Sequence, residues 1–132
     1  MNIHESAEDY LEAILMIKER KGEVRSIDIV NELNYSKPSI SIAMKKLREN
    51  GYIDMDAEGY ITLREPGMEI ASRIYDRHRL LTRFLIKLGV SEKTAAEDAC
   101  KIEHDLSEET FQKIKAHALA AIRQEEDQAS KQ

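Results

Sequence analysis

The sequence predicts a mainly α-helical chain interrupted once by a short β-hairpin. Three observations predict it. Apolar residues recur at helical spacing in six segments. The period switches to two in one place, at Tyr52–Met55 and Tyr60–Leu63, around the turn Asp56-Ala57-Glu58-Gly59. Start and stop residues (Ser26, Pro38, Gly51, Pro66, Gly89 and Ser107) divide the segments at ordinary helix lengths.

The first helix is expected from Ser6 to Arg20. Ala7, Tyr10, Leu11, Ile14 and Ile17 form its apolar stripe, with Asp9, Glu12 and Met16 on the opposite, polar side. Ser26 is expected to cap a short helix from Ile27 to Leu33. Asn34-Tyr35-Ser36 is a tight connection to a helix from Lys37 to Asn50, where Pro38 fits only the first turn. After the hairpin, helices are expected over Pro66–Leu88, Glu92–Asp105 and Ser107–Glu126. The long one carries Ala71, Ile74, Tyr75, His78, Leu81 and Leu85 along one face.

Helix, helix, tight turn, helix, hairpin is the arrangement of a winged helix-turn-helix, assigned here to residues 1–64. The helical remainder, 65–132, is small for burying its own apolar faces and is expected to do so against the first helix and against a second copy, as a dimer.

Composition narrows the function classes. With 42% hydrophobic and 34% charged residues, the 132-residue chain reads as soluble and globular. No run approaches the length of a membrane span, so no membrane partner is expected. The N-terminus, Met1 to Glu5, lacks the pattern of a secretion signal. The single cysteine, Cys100, suits a reducing cytoplasm. A net charge of −5 argues against indiscriminate coating of nucleic acid, but residues 37–48 hold Lys37, Lys45, Lys46 and Arg48 and no acid. On a wheel, Pro38, Ile42, Lys45 and Glu49 lie opposite the core stripe of Ile40, Met44 and Leu47, flanked by Ser39, Ser41 and Lys46. Hydroxyls and lysines at such positions reach phosphates or base edges, and Ile42 suits a thymine methyl. The alternative is a solvated face with one exposed isoleucine. Ser36, at the helix entry, and Arg25 and Arg64, outside the helix, join the candidate DNA contacts because the hairpin tip is acidic.

Three segments carry ligand-type side chains. Asp9 and Glu12 are i, i+3 on the first helix. Cys100, Glu103 and His104 share one face of theirs, and His78 interrupts an apolar face. Each alone is ordinary: surface acids, a buried thiol, a hydrogen-bonded core histidine.

Four motifs carry a family resemblance over nearly the whole chain: Glu8-Asp9-Tyr10-Leu11-Glu12, Ser36-Lys37-Pro38-Ser39, Arg77-His78-Arg79-Leu80-Leu81, and Cys100-Lys101-Ile102-Glu103-His104-Asp105-Leu106-Ser107. The sequence resembles the diphtheria-toxin-repressor family of metal-dependent regulators, in particular its short manganese-transport-regulator branch, which lacks an SH3-like domain. The resemblance implies a metal-binding and dimerisation domain after the winged helix, with Asp9, Glu12, His78, Glu103 and His104 at ligand positions. It also implies a mixture. In the manganese branch the position of Cys100 is a glutamate. In the iron branch it is a cysteine, but there Asp9 would be a methionine. Ala96 stands where the iron branch has an ancillary ligand, so that site is not expected. Carboxylate and imidazole suit Mn²⁺ and Fe²⁺, whereas a thiolate favours Fe²⁺, Co²⁺ or Zn²⁺.

The function expected is therefore a metal-dependent repressor that binds a palindromic double-stranded operator as a homodimer. A metal-independent winged-helix regulator is the alternative. A metal-dependent hydrolase is disfavoured, because no nucleophile elbow, phosphate loop or separate carboxylate base is present; the chain is not expected to be an enzyme.

Overall fold

The computed structural model describes residues 5–130. The first four and last two residues, on which the expectation about a secretion signal and the end of the polar tail fall, lie outside the described residues. Six helices and one hairpin follow in the expected order. They are α1 (Glu5–Lys21), α2 (Ser26–Leu33), α3 (Lys37–Glu49), β1 (Ile53–Met55), β2 (Ile61–Leu63), α4 (Glu65–Lys87), α5 (Glu92–Ile102) and α6 (Glu108–Ser130). They form two compact units, one through Tyr75 and one from Asp76, and the division falls within α4.

In the N-terminal unit, Leu11, Ile14 and Ile17 of α1 pack with Val24, Ile29, Ile40, Met44, Ile53, Ile61 and Ala71. Ile29, Ile40 and Ile53 are fully buried, and each such side chain contributes about 1.5–3 kcal/mol relative to exposure. The expected inner face of α3 is confirmed: Ile40, Met44 and Leu47 are its buried residues. The polar side expected of α1 is corrected. Glu12 is only 5% exposed, and Ala13 and Leu15 are buried as well. The run from Leu11 to Ile17 is apolar nearly all round, which is the pattern of an enclosed helix and not of an amphipathic one.

The start of α2 is also corrected. Ser26 is its first helical residue and Arg25 the cap, extended at φ −127°, ψ 164°. The Asp28 carboxylate reaches back to accept the Arg25 N–H at 2.9 Å and the Lys21 ammonium at 2.6 Å. These contacts, the Lys21 hydrogen bond first, hold the Asp28 carboxyl below its ordinary value. Asn34 closes α2 in the left-handed region at φ 59°, where asparagine is tolerated, and its N–H bonds the Val30 carbonyl at 2.8 Å. Ser36 then caps α3, accepting the Ser39 N–H at 3.3 Å.

The antiparallel hairpin pairs Ile53 with Leu63 and Met55 with Ile61. Its acidic tip has a structural use. Asp56 Oδ1 accepts the N–H groups of Glu58 and Tyr60 at 3.0 and 2.9 Å, an Asx-type turn. At the start of α4, Gly67 lies against the chain: a Cβ there would stand 2.2 Å from the Tyr52 carbonyl oxygen.

The C-terminal unit buries Leu81, Ala95, Ala99, Phe111 and Ala118. Ser91 caps α5 and Ser107 caps α6. The helix expected to reach Asp105 ends at Ile102, and Glu103, His104 and Asp105 form a turn.

Two outcomes are expected. Alanine normally stabilises a helix relative to glycine, but Gly67→Ala must displace backbone and is expected to destabilise the N-terminal unit by about 1–3 kcal/mol; thermal denaturation measures it. A lowered folded-state pKa at Asp28 means its contribution is complete above the ordinary aspartate value of 3.8 and is lost as pH falls through the lower, folded-state value. Asp28→Asn is expected to cost about 0.5–1 kcal/mol at pH 7 and progressively less in that acid window, read from urea melts at a series of pH values.

Candidate metal centre and nucleic-acid face

In the C-terminal unit, α4 supplies His78, the last turn of α5 supplies Cys100, and the turn beyond supplies Glu103 and His104. The three helix-borne or turn-borne ligand atoms of His78, Cys100 and Glu103 lie within 4.8 Å of one another. His78 Nδ1 is 3.0 Å from Glu103 Oε2. The other carboxylate oxygen, Oε1, is 3.4 Å from His104 Nε2. The Glu103 and His104 side chains are 0% and 2% exposed, His78 is half-buried, and Cys100 is exposed. Cys100 and Glu103 remain neighbours although the second has left the helix, because Glu103 keeps right-handed helical angles, φ −61°, ψ −27°.

The donor chemistry fits a divalent transition metal. A buried carboxylate flanked by two imidazoles and a thiol combines neutral nitrogen donors with one or two anionic donors in a small volume. A cation there would neutralise the charge that burial penalises. Asp9, half-buried, and Glu12, buried, stand one turn apart on α1 in the N-terminal unit.

Arg77 was not among the expected site residues. It is 7% exposed, and its guanidinium donates to the carbonyls of Glu103 and Leu106 at 3.1 and 2.9 Å and to the Glu108 carboxylate at 2.7 Å. The signal was present: Arg77 is i+3 from Ile74 and i−4 from Leu81, so it lies on the buried face of α4.

The expected DNA-facing residues of α3 form one exposed surface: Lys37, Pro38, Ser39, Ser41, Ile42, Lys45 and Lys46 are all exposed, with Ile42 at 58%. Ser36 is exposed too, but its hydroxyl is engaged with Ser39, donating to Ser39 Oγ at 2.8 Å. Lys45 stands 4.0 Å from Glu49, and Arg64 lies 3.8 Å from Asp54 on the hairpin. Arg25 is held in the fold. Nη2 donates to the Glu58 carbonyl at 2.7 Å, and the guanidinium lies 4.4 Å from the Tyr60 ring centre.

Comparison with known proteins adds a second line of observation. The N-terminal DNA-binding domain of iron-dependent repressors matches residues 2–60. Their metal binding and dimerisation domain matches residues 64–120. The chain is 41% identical over 113 residues to an uncharacterized HTH-type transcriptional regulator of Methanocaldococcus jannaschii, covering 84% of this chain and 90% of that one. It is 35% identical over 107 residues to the transcriptional regulator MntR of Escherichia coli O6:H1, covering 81% and 69%. Among solved structures, a manganese-dependent transcriptional repressor in complex with manganese superposes with a TM-score of 0.78 at 30% identity, covering 85% of this chain and 52% of that one. T. acidophilum IdeR superposes at 0.72 with 27% identity, covering 86% and 53%. The chain spans about half the length of these two solved structures.

Proposed function

The chain belongs to the iron-dependent repressor family, and from that premise we propose that it is a cytoplasmic, metal-activated repressor that binds a palindromic double-stranded operator as a homodimer and carries no catalytic activity. The observation that carries the reading is the buried Glu103 carboxylate, 3.0 Å from His78 Nδ1 and grouped with the Cys100 thiol. No helix among the described residues is long and apolar enough to cross a membrane.

His78, Cys100, Glu103 and His104 are the proposed ligands in the C-terminal unit, and Asp9 and Glu12 are the proposed carboxylate ligands of the N-terminal unit. Mn²⁺ or Fe²⁺ is the proposed activator, with Co²⁺ and Zn²⁺ as further ions the thiol would accept. The cation supplies charge neutralisation and a fixed coordination geometry. The chain does the rest. Asp9 and Glu12 ride on the helix that packs, through Leu11, Ile14 and Ile17, into the same core as Ile40, Met44 and Leu47 of α3. A constraint on α1 therefore acts on a packed unit, and close-packed interiors transmit displacement. On α3, Lys37, Lys45 and Lys46 are assigned to phosphates and Ile42 to a base edge, with Ser36, Pro38, Ser39 and Ser41 lining the helix entry and Arg64 contacting backbone from the hairpin. Arg25, which holds the hairpin tip through Glu58 and Tyr60, is assigned a supporting backbone contact.

The test is operator binding titrated across Mn²⁺, Fe²⁺, Co²⁺ and Zn²⁺. Binding is expected to be metal-dependent, and equal binding in chelator would point to a metal-independent regulator. In the Co²⁺ form a thiolate-to-metal charge-transfer band is expected in the near ultraviolet. Cys100→Glu should abolish it and lower the response to Zn²⁺ and Co²⁺ relative to Mn²⁺; a wild-type spectrum without the band removes Cys100 from the ligand set. On the DNA side, Lys45→Ala is expected to weaken operator and random DNA alike and to lower the salt slope by about 1. Ile42→Ala is expected to reduce discrimination at one thymine by about 1 kcal/mol. Parent-like binding by both variants would mean that another face of α3 meets the DNA.

A further inference from the structure

Two adjacent residues of α4 grip one residue of the turn that follows α5. His78 meets the Glu103 side chain, and Arg77 holds its backbone, Nη1 to the carbonyl oxygen at 3.1 Å. The same Nη1 reaches the Leu106 carbonyl at 2.9 Å, and Nη2 reaches the Glu108 carboxylate at 2.7 Å. The guanidinium also lies 4.8 Å from the Phe111 ring centre, on α6. The last carbonyls of a helix have no donor within it. The turn from Glu103 to Ser107 contains no glycine or proline to set its path. One planar fork, bonded to the Glu103 and Leu106 carbonyls, therefore ties the two ends of that turn to α4.

We propose that Arg77 is a positioning residue for the cation cluster: it holds the turn so that Glu103 presents its carboxylate beside His78 and Cys100, with His104 Nε2 at its other oxygen. The inference rests on the metal reading above. Electrostatics alone gives the opposite sign, since a fixed positive charge beside the cluster disfavours a cation. Arg77 therefore helps only through geometry. Lysine keeps the charge but replaces the fork with a single ammonium, which does not hold Glu103, Leu106 and Glu108 together in that plane.

The test uses the full chain and Co²⁺ alone as the probe. Affinity is measured by competition, coordination by the visible absorption bands, and folding by far-ultraviolet circular dichroism. Arg77→Lys is expected to bind Co²⁺ about tenfold more weakly, the usual effect of losing support for a ligand, with altered visible bands. Glu108→Gln, at the exposed end of the fork, is expected to move both readings the same way by less. A folded Arg77→Lys with the parent's affinity and bands overturns the proposal. Should Arg77→Lys fail to fold, Glu108→Gln decides, and parent-like values there overturn it. A parent that takes up no Co²⁺ overturns the metal reading itself, and this inference with it.

Discussion

Burying an ionised carboxylate costs several kcal/mol unless donors surround it, and Glu103 is fully buried. The C-terminal unit is arranged around that constraint. Two of its helices place side chains against residue 103 or its turn, α4 with His78 and Arg77 and α5 with Cys100, and α6 gives Glu108, which pairs with Arg77. Phe111 of α6 covers the guanidinium that ties the turn down. The buried apolar residues of the unit are Leu81, Phe111 and the small Ala95, Ala99 and Ala118. With so much alanine, the packing lets helices approach closely but contributes little area per residue. Polar anchoring therefore carries a larger share of the geometry here than in the isoleucine-rich N-terminal unit.

The N-terminal unit works the other way. Its core cluster is apolar, and apart from the buried Glu12 the polar groups described for it act at the margins, as caps and turns. Ser36 opens α3, Asn34 closes α2, and Asp56 organises the hairpin tip. Each places α3 with one face inward and a basic face outward. Lys37, Lys45 and Lys46 are then exposed without being committed to the core, while Asp28, Asp54 and Asp56 engage lysine, arginine or backbone partners. A chain of net charge −5 thus presents a local positive surface.

Much of this was legible in the sequence, and the gaps have physical reasons. Helical periodicity located all six helices, and the one switch to alternation located the hairpin. Ile40 and Ile42 were separated correctly because two residues on a helix differ by about 200° in direction. Glu12 was misplaced because an amphipathic reading assumes a wet side, and α1 has hardly any between Leu11 and Ile17. The cap of α2 was placed one residue late because serine has the higher intrinsic preference, yet the reach of Asp28 to the Arg25 N–H decides the start. The end of α5 was missed because Asp105 and Leu106 continue a helical pattern with no breaker. Where the helix ends, Arg77, 26 positions before Glu103, donates to the Glu103 carbonyl. That contact is tertiary, and no local window contains it. For the donor cluster, spacing grouped Cys100 with Glu103, but only the folded chain brings His78 to them.

Arg25 has a consequence for how the hairpin meets any surface. One residue caps α2 with its backbone, while its side chain donates to the Glu58 carbonyl and lies on Tyr60. The tip is thus ordered by folding and not by contact. A loop that must be immobilised on docking loses conformational freedom, about 0.5–1.5 kcal/mol for each side chain that becomes fixed. A tip already latched to α2 has lost that freedom beforehand, so its approach to a partner carries little entropic penalty even where its acidic residues add no attraction.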